Sequence, residues 1–307
     1  MEQVDKSFGS VRAVQGLDLT VPAGCIYGVL GPNGAGKTTA IRMLMDIVAP
    51  DHGRIEMLGA ATASSVKDRV GYLPEERGLY RKMRVADTLR YLGQIKGVPA
   101  RVLREAIPAR LEAIGLASWA SHRVDELSKG MQQKIQFLGA VISDPELVIL
   151  DEPFAGLDPI NLEALTQQIL QMRAGGGTIL LSTHMMEQAQ RLCDSVVLIH
   201  KGRKVLDGPV REILSRVDPR IVLVEIDGDE TGLPEFAMVE QVERHNGGWQ
   251  CTLAEGTDPQ AFLAALAGRC RVLRFEVKRP TLTEVFLASV SDATDPAAMA
   301  AGQEVAR

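Results

Sequence analysis

A run of residues near the amino terminus has the types and spacing of a phosphate-binding loop. The run comprises Gly31, Pro32, Asn33, Gly34, Ala35, Gly36, Lys37 and Thr38, and it fits the pattern GxxxxGK(S/T) at each fixed position. The glycines let successive backbone N–H groups converge on one anion, and a helix that starts near Lys37 adds the positive end of its dipole. We expect the Lys37 ammonium to reach the β- and γ-phosphates of a nucleotide and the Thr38 hydroxyl to ligate Mg²⁺.

The elements on either side of this run support the motif. Residues 25–30 (CIYGVL) form a short apolar run that predicts a buried strand, and residues 39–45 (TAIRMLM) predict a helix. The order of strand, glycine turn and helix disfavours the alternative, which is a glycine-rich turn that binds nothing.

A second group of candidate residues follows another apolar run. Residues 147–150 read LVIL, and Asp151 and Glu152 come directly after them. Such a run is typical of a central parallel strand, and the carboxyl ends of these strands are where an α/β sheet binds its ligand. We expect Asp151 to hold Mg²⁺ through water and Glu152 to activate the attacking water as a general base. The alternative is a pair of solvated loop acids.

The composition indicates a globular chain with a full core. The 307 residues are 46% hydrophobic and 24% charged, and the net charge of −5 without a dense basic block argues against nucleic acid as a partner. The cysteines Cys25, Cys193, Cys251 and Cys270 form no CxxC pair, which argues against zinc or a disulfide scaffold and fits a reducing cytosol. Neither a membrane span nor an export signal is expected.

Strand and helix patterns alternate along the first part of the chain, which predicts an α/β sheet with a helical insertion. Strands are predicted at residues 54–58, 70–74, 178–182 and 195–200, and edge strands within residues 8–21. Helical patterns fill most of residues 85–139, where we expect Pro99 and Pro108 to limit or start helices and one helix to open at Ser128. These patterns predict a domain of residues 1–214.

The pattern changes after about residue 214. Residues 221–226 alternate, and Asn246-Gly247 between two strand patterns is a strong hairpin signal. Asp258-Pro259 is typical of a helix start, and residues 271–277 predict a further strand. We therefore expect a small α+β domain over residues 215–290. Residues 291–307 are rich in Ala and Asp and are expected to be a disordered tail.

These motifs, with three further ones in order, resemble the ATP-binding subunit of an ABC transporter. Residues 127–133 (LSKGMQQ) resemble the ABC signature, residues 155–158 (AGLD) resemble the loop that links two nucleotide sites, and His184 matches the switch histidine that contacts the γ-phosphate. LSKG alone also fits an ordinary Ser-capped helix, so the order of the motifs is the specific signal. Residues 280–286 (PTLTEVF) resemble the end of an extra domain on ATPases of certain bacterial exporters.

The resemblance implies a P-loop ABC cassette with a mixed sheet core and a helical subdomain at about residues 77–140. In such a family the signature helix of one subunit completes the site of a second, identical or different, around ATP. The implied catalytic residues are Glu152 and His184, and the implied Mg²⁺ ligands are Thr38, Glu75 and Asp151. The implied nucleotide contacts are Phe8, Gly31, Pro32, Asn33, Gly34, Ala35, Gly36, Lys37, Thr38, Thr39, Ser128 and Gly130.

Two positions depart from the family pattern. Glu75 stands where the family has glutamine, which adds a negative charge beside an anionic ATP. Lys129 stands at the first glycine of the signature, where a cation would help to bind the γ-phosphate of the second site or would point to solvent.

Phe8 lies where the family places an aromatic ring that stacks on adenine; the alternative is a plain core side chain.

The resemblance implies an ATP-hydrolysing subunit at the cytoplasmic face of the cell membrane that drives a separate permease, with export suggested by the last domain. The alternative is a soluble ABC-class ATPase that acts on nucleic acid or ribosomes. The single cassette, the lack of room for a long coiled coil and the acidic balance count against it. Glu152 argues against a nucleotide-gated module without turnover, and the sequence has no NKxD motif of the GTPase kind.

Overall fold

The computed structural model describes residues 1–61, 63–76, 78–215, 220–227, 237–245, 247–278 and 280–294. The strands are β1 (Glu2–Phe8), β2 (Val11–Leu17), β3 (Ile26–Leu30), β4 (His52–Arg54), β5 (Val70–Leu73), β6 (Leu147–Asp151), β7 (Thr178–Thr183), β8 (Ser195–His200), β9 (Arg203–Pro209), β10 (Ile221–Asp227), β11 (Val239–His245), β12 (Gly248–Leu253) and β13 (Arg271–Val277). The helices are α1 (Lys37–Leu44), α2 (Val85–Ile95), α3 (Ala100–Ala113), α4 (Lys129–Val141), α5 (Pro159–Ala174), α6 (Met186–Leu192), α7 (Val210–Ser215), α8 (Pro259–Ala267) and α9 (Leu282–Thr294).

These elements form two compact units. One unit contains Met1–Val210 and the end of α9 from Ala288, and the other contains Arg211–Leu287. The boundary predicted between residues 214 and 215 lies within α7. The domain limits of 1–214 and 215–290 stay predictions.

The first unit is built on a sheet in the order β5-β6-β7-β3-β8-β9. The neighbouring strands from β5 to β8 are parallel, and β9 runs antiparallel to β8. All residues of β3 and β6 are buried, because the strands of a parallel sheet are covered on both faces. The predicted mixed α/β sheet is therefore confirmed, and the carboxyl ends of β3, β6 and β7 lie side by side at one edge.

A smaller sheet in the order β2-β1-β4 joins the first unit. Its strands pair antiparallel, and β1, which precedes the predicted edge strands, was not predicted. The strand predicted at residues 54–58 is wrong, since β4 ends at Arg54. Leu58 and Gly59 have φ angles of +51° and +80°, and they close a tight turn between the bridge partners Met57 and Ala60.

The predicted helical insertion contains α2, α3 and α4. Pro99 directly precedes α3, as expected, but the prediction that Pro108 limits a helix is wrong because Pro108 lies inside α3. The helix continues through it because Leu103, Ile107 and Leu111, at a spacing of four residues, bury one face. In the described part of the chain, no helix has both the length and the apolar character that crossing a membrane requires.

The second unit has its own sheet, in the order β11-β12-β10-β13 with antiparallel pairs. The predicted hairpin is confirmed by the pairing of β11 with β12, although Asn246 lies outside the described residues. The Asp258 carboxylate accepts the Gln260 N–H at 2.9 Å and so caps α8, as predicted. The core consists of Val222, Val224, Cys251, Leu253, Phe262 and Leu266.

The disordered tail predicted from residue 291 starts too early. Residues 291–294 belong to α9, a helix that was not predicted. The remaining residues of the predicted tail, 295–307, lie outside the described residues.

Candidate nucleotide-binding site

The phosphate-binding loop connects the end of β3 to the first residue of α1, Lys37. Gly36 precedes the helix with a φ of +109°, and a Cβ at this position would lie 2.3 Å from the Ala13 carbonyl oxygen. Only glycine fits both the backbone angle and the close approach to β2. The amino-terminal end of α1 thus faces the loop in the arrangement that binds anions.

A cavity of about 570 Å³ opens over this loop, and its volume lies in the range of small-molecule sites. Most of the predicted loop lines it, together with Glu75 and Glu152. Its remaining lining was not predicted, because these residues belong to no motif: Ser10, Val11, Arg12, Ala13, Gln15 and Lys201.

Lys37 supplies a buried positive charge to the cavity, and its side chain is 5% exposed. The ammonium donates hydrogen bonds to the carbonyl oxygens of Gly31 at 2.8 Å and Pro32 at 3.2 Å. It also lies 3.1 Å from Oε1 of Glu152, and this pairing offsets the cost of burying both charges. A phosphate that enters the cavity would meet this ammonium and the loop N–H groups, all of which stabilise negative charge.

The Thr38 hydroxyl lies between two of the predicted metal ligands. Its Oγ1 atom is 3.3 Å from Oδ1 of Asp151 and 3.4 Å from Oε2 of Glu75. Asp151 is buried at the end of β6, whereas Glu75 is exposed after β5. The structure therefore brings together the oxygen atoms that the sequence assigned to Mg²⁺.

Asp151 shows how well these residues fit a cation. Its Oδ2 atom is buried and has no hydrogen-bond partner among the residues that the structure describes. Burial raises the pKa of Asp151 above its ordinary value, and hydrogen bonds from Ser182 and Thr38 lower it. The charges of Glu75 and Glu152 raise this pKa further.

A hard divalent cation would pair the buried acceptor and favour the charged carboxylate. Across the described ranges there is no group of three or more His, Cys, Asp or Glu side chains placed to hold a metal ion. An ion here would therefore also need oxygen atoms from Thr38, from phosphate and from water.

Glu152 lies between a lysine and a histidine. It is 7% exposed and has a φ of +48°, a conformation that is uncommon for a residue with a side chain and often marks functional sites. Its Oε2 atom lies 2.9 Å from Nδ1 of His184, while Oε1 faces Lys37. The two predicted catalytic residues are thus in contact beside the phosphate loop.

Ser182, near the end of β7, contacts both acids and was not singled out from the sequence. Its buried hydroxyl donates to Oδ1 of Asp151 at 2.5 Å and accepts the backbone N–H of Glu152 at 3.0 Å. The sequence signal that could have indicated Ser182 is a pair of polar residues, Ser182 and Thr183, directly after the apolar residues 179–181 (ILL).

The predicted signature residues lie apart from this cavity. Ser128 is the N-cap of α4, where its Oγ accepts the Met131 N–H at 3.3 Å while the side chain stays exposed. Gly130 is buried, and a Cβ there would lie 2.5 Å from Nδ2 of Asn161. Neither Ser128 nor Gly130 lines the cavity, so the structure does not bring them to the phosphate loop of the same chain.

Comparisons with known proteins agree with these motifs. Residues 14–155 match the family model described as ABC transporter, and residues 208–290 match the model described as ATP-binding protein DrrA1-3-like, C-terminal domain. Over 290 residues the chain is 38% identical to the uncharacterized ABC transporter ATP-binding protein YhaQ of Bacillus subtilis (strain 168), with 94% of this chain and 97% of that protein covered. This chain belongs to the family of ABC transporter ATP-binding proteins.

Other relatives of this ABC protein have similar names. It is 36% identical over 289 residues to the Nod factor export ATP-binding protein I of Rhizobium sp. (strain N33), with 92% of this chain and 94% of that protein covered. A solved structure described as the ATP binding subunit of an ABC transporter superposes with a TM-score of 0.65 and is 30% identical. That comparison covers 70% of this chain and 91% of the other.

Phe8 of this ABC protein is two residues before Ser10, which lines the cavity, but Phe8 itself does not line it. The ring is 51% exposed, which rules out the alternative of a plain core side chain. The Lys6 ammonium lies 5.5 Å from the ring centroid, within the range of a cation–π contact. Stacking of Phe8 on adenine stays a prediction, and Val11 and Arg12 of the next strand line the cavity instead.

Proposed function

We propose that this ABC protein hydrolyses ATP as the nucleotide-binding subunit of an exporter and drives a separate membrane permease. The observation that carries the proposal is the buried Glu152 carboxylate, which lies 3.1 Å from the Lys37 ammonium and 2.9 Å from His184. Family membership accounts for ATP binding. A carboxylate held at the phosphate loop adds the base that turnover requires.

Each residue has a role in this proposal. The loop N–H groups and Lys37 bind the triphosphate, and Oε2 of Glu152 accepts a proton from the attacking water. His184 orients that carboxylate and contacts the γ-phosphate. Thr38, Asp151 and Glu75 would hold Mg²⁺, which when bound neutralises charge on the β- and γ-phosphates.

The proposed active form is a pair of ATPase subunits, identical or different. Support comes from the amino-terminal end of α4, where Ser128 is exposed and stands apart from the chain's own cavity. A helix end of this kind favours an anion. In a head-to-tail pair, that anion is the γ-phosphate bound by the second subunit.

Transport by a separate permease is supported by the names of the relatives. The Rhizobium relative is named for Nod factor export, and the last domain matches a model named for DrrA-like ATP-binding proteins. The chain would then act at the cytoplasmic face of the membrane, with the helices of residues 77–140 docked on the permease. Co-purification from detergent-solubilised membranes tests this part: a partner with several apolar segments of span length supports it, and a chain recovered alone contradicts it.

Phosphate release by Glu152→Gln tests the central part of the proposal. We expect kcat to fall by about 10²–10⁴-fold, the usual contribution of a general base, while ATP still binds. Glu163→Gln is the matched control, because Glu163 is exposed on α5, where its carboxylate accepts surface hydrogen bonds from Gln167 and Arg191. Turnover in Glu152→Gln equal to that of the control would remove Glu152 from the role of base.

A further inference from the structure

Two buried glutamines on α4 hydrogen-bond to the loops that carry the acids. Gln133 is 5% exposed and Gln136 is 7% exposed. The Gln136 side-chain amide donates to the carbonyl oxygens of Pro74 at 3.3 Å and Glu76 at 3.1 Å. The Gln133 amide donates to the carbonyl oxygen of Pro153 at 3.1 Å, directly after Glu152.

The two bonds from Gln136 lie on either side of Glu75. Strand β5 ends at Leu73, and residues 74–76 have no regular secondary structure. No sheet ladder therefore sets the direction of Glu75, and the carbonyl oxygens of both its neighbours accept hydrogen bonds from the Gln136 amide. The Glu75 carboxylate points to the Thr38 hydroxyl, with 3.4 Å between the oxygen atoms.

We propose that Gln136 is a positioning residue that holds Glu75 towards Thr38 and so sets how tightly the site takes a divalent cation with its nucleotide. The inference rests on the proposed function, because it assigns Glu75 to the cation. Gln136 acts only through the backbone on both sides of Glu75. Gln133 makes its bond to a different loop, so the two amides, three residues apart on one helix, hold two different acids.

Proteolysis of the full chain without nucleotide tests whether Gln136 restrains this segment. An endopeptidase that cleaves after glutamate must locally open residues 74–76 before it cuts at Glu75 or Glu76. In Gln136→Met, which loses two hydrogen bonds, we expect cleavage there to be about tenfold faster. Gln133→Met is the matched control, since it removes an equally buried amide from the same helix and should leave this cleavage at the wild-type rate.

If Gln136→Met is cleaved no faster than the wild-type protein, the inference is overturned. Equal acceleration in both variants would also overturn it, because it would report a general loosening of α4. Gln136→Asn keeps an amide that is one methylene shorter, and it replaces Gln136→Met if that variant does not fold.

Binding of Mn²⁺ in the presence of a non-hydrolysable ATP analogue, followed by electron paramagnetic resonance, tests the connection to the cation. We expect Gln136→Met to weaken Mn²⁺ binding about fivefold to tenfold when Glu75 is present and less than twofold in a Glu75→Ala background. Equal weakening in both backgrounds, or none in either, would contradict the inference. If the wild-type protein took up no Mn²⁺ with the analogue, the proposed function would fail, and the proteolysis would still decide whether Gln136 holds the segment.

Discussion

The substitution Ser182→Ala perturbs both acids of the site through one buried atom. The Ser182 hydroxyl donates to Asp151 at 2.5 Å and accepts the Glu152 N–H at 3.0 Å. A hydrogen bond to a charged group contributes about 1.5–3 kcal/mol, and a buried N–H left unpaired costs about 1–3 kcal/mol. We therefore expect the free energy of unfolding to fall by about 2.5–6 kcal/mol at neutral pH.

Thermal unfolding followed by circular dichroism measures this loss. At about 2–4 °C per kcal/mol for a unit of this size, the expected decrease in Tm is roughly 5–24 °C. Ser143→Ala is the matched control, because the Ser143 hydroxyl is buried and has no hydrogen-bond partner among the described residues. If Ser182→Ala lowered Tm no more than Ser143→Ala, the reasoning that this hydroxyl holds the two acids would be refuted.

Two further predictions concern the charges of the site. Lys37→Ala should weaken ATP binding by at least about a hundredfold, because it removes charge-assisted bonds to phosphate. Titration with a fluorescent nucleotide measures this loss, and retained micromolar affinity would contradict the role of Lys37. The second prediction follows from the pKa of Asp151, which burial raises above the ordinary value of 3.8. Between these two pKa values the folded state holds a proton that the unfolded state has released. The free energy of unfolding should therefore fall as pH rises from about 4 through the folded pKa. Urea unfolding between about pH 4 and 8 should show this slope as a difference between wild type and Asp151→Asn, and an identical slope in both would be inconsistent with it.

Local sequence patterns predicted the elements that carry the site. The phosphate loop lies between β3 and α1, and Asp151 ends β6, as predicted. These positions could be predicted because an apolar run and a glycine turn depend mainly on neighbouring residues in the sequence. Local patterns do not determine the order of strands in the main sheet. It depends on contacts between distant residues, such as the pairing of β3 with both β7 and β8.

The same limit explains which site residues were missed. Local patterns assign Ser182 to a strand, Gln136 to a helix and Gln133 to the signature motif. None of these assignments predicts that each side chain is buried and hydrogen-bonded to a loop of the site. Arg12 and Lys201 also line the cavity, although they are far from the phosphate loop in sequence and belong to no motif. Tertiary contacts bring them there. The errors at residues 54–58 and at Pro108 arose because a tight turn and a buried helix face outweighed local propensity.

The proposed role of Ser128 depends on a second subunit, because Ser128 does not line the phosphate cavity of its own chain. Sedimentation of Glu152→Gln with saturating Mg²⁺ and ATP tests whether that second subunit binds. We predict a species of twice the 33.2 kDa mass of the chain, which separates into single chains when ATP is removed and does not form when Ser128→Arg is added. A species that stays at 33.2 kDa with Mg²⁺ and ATP bound would contradict the claim.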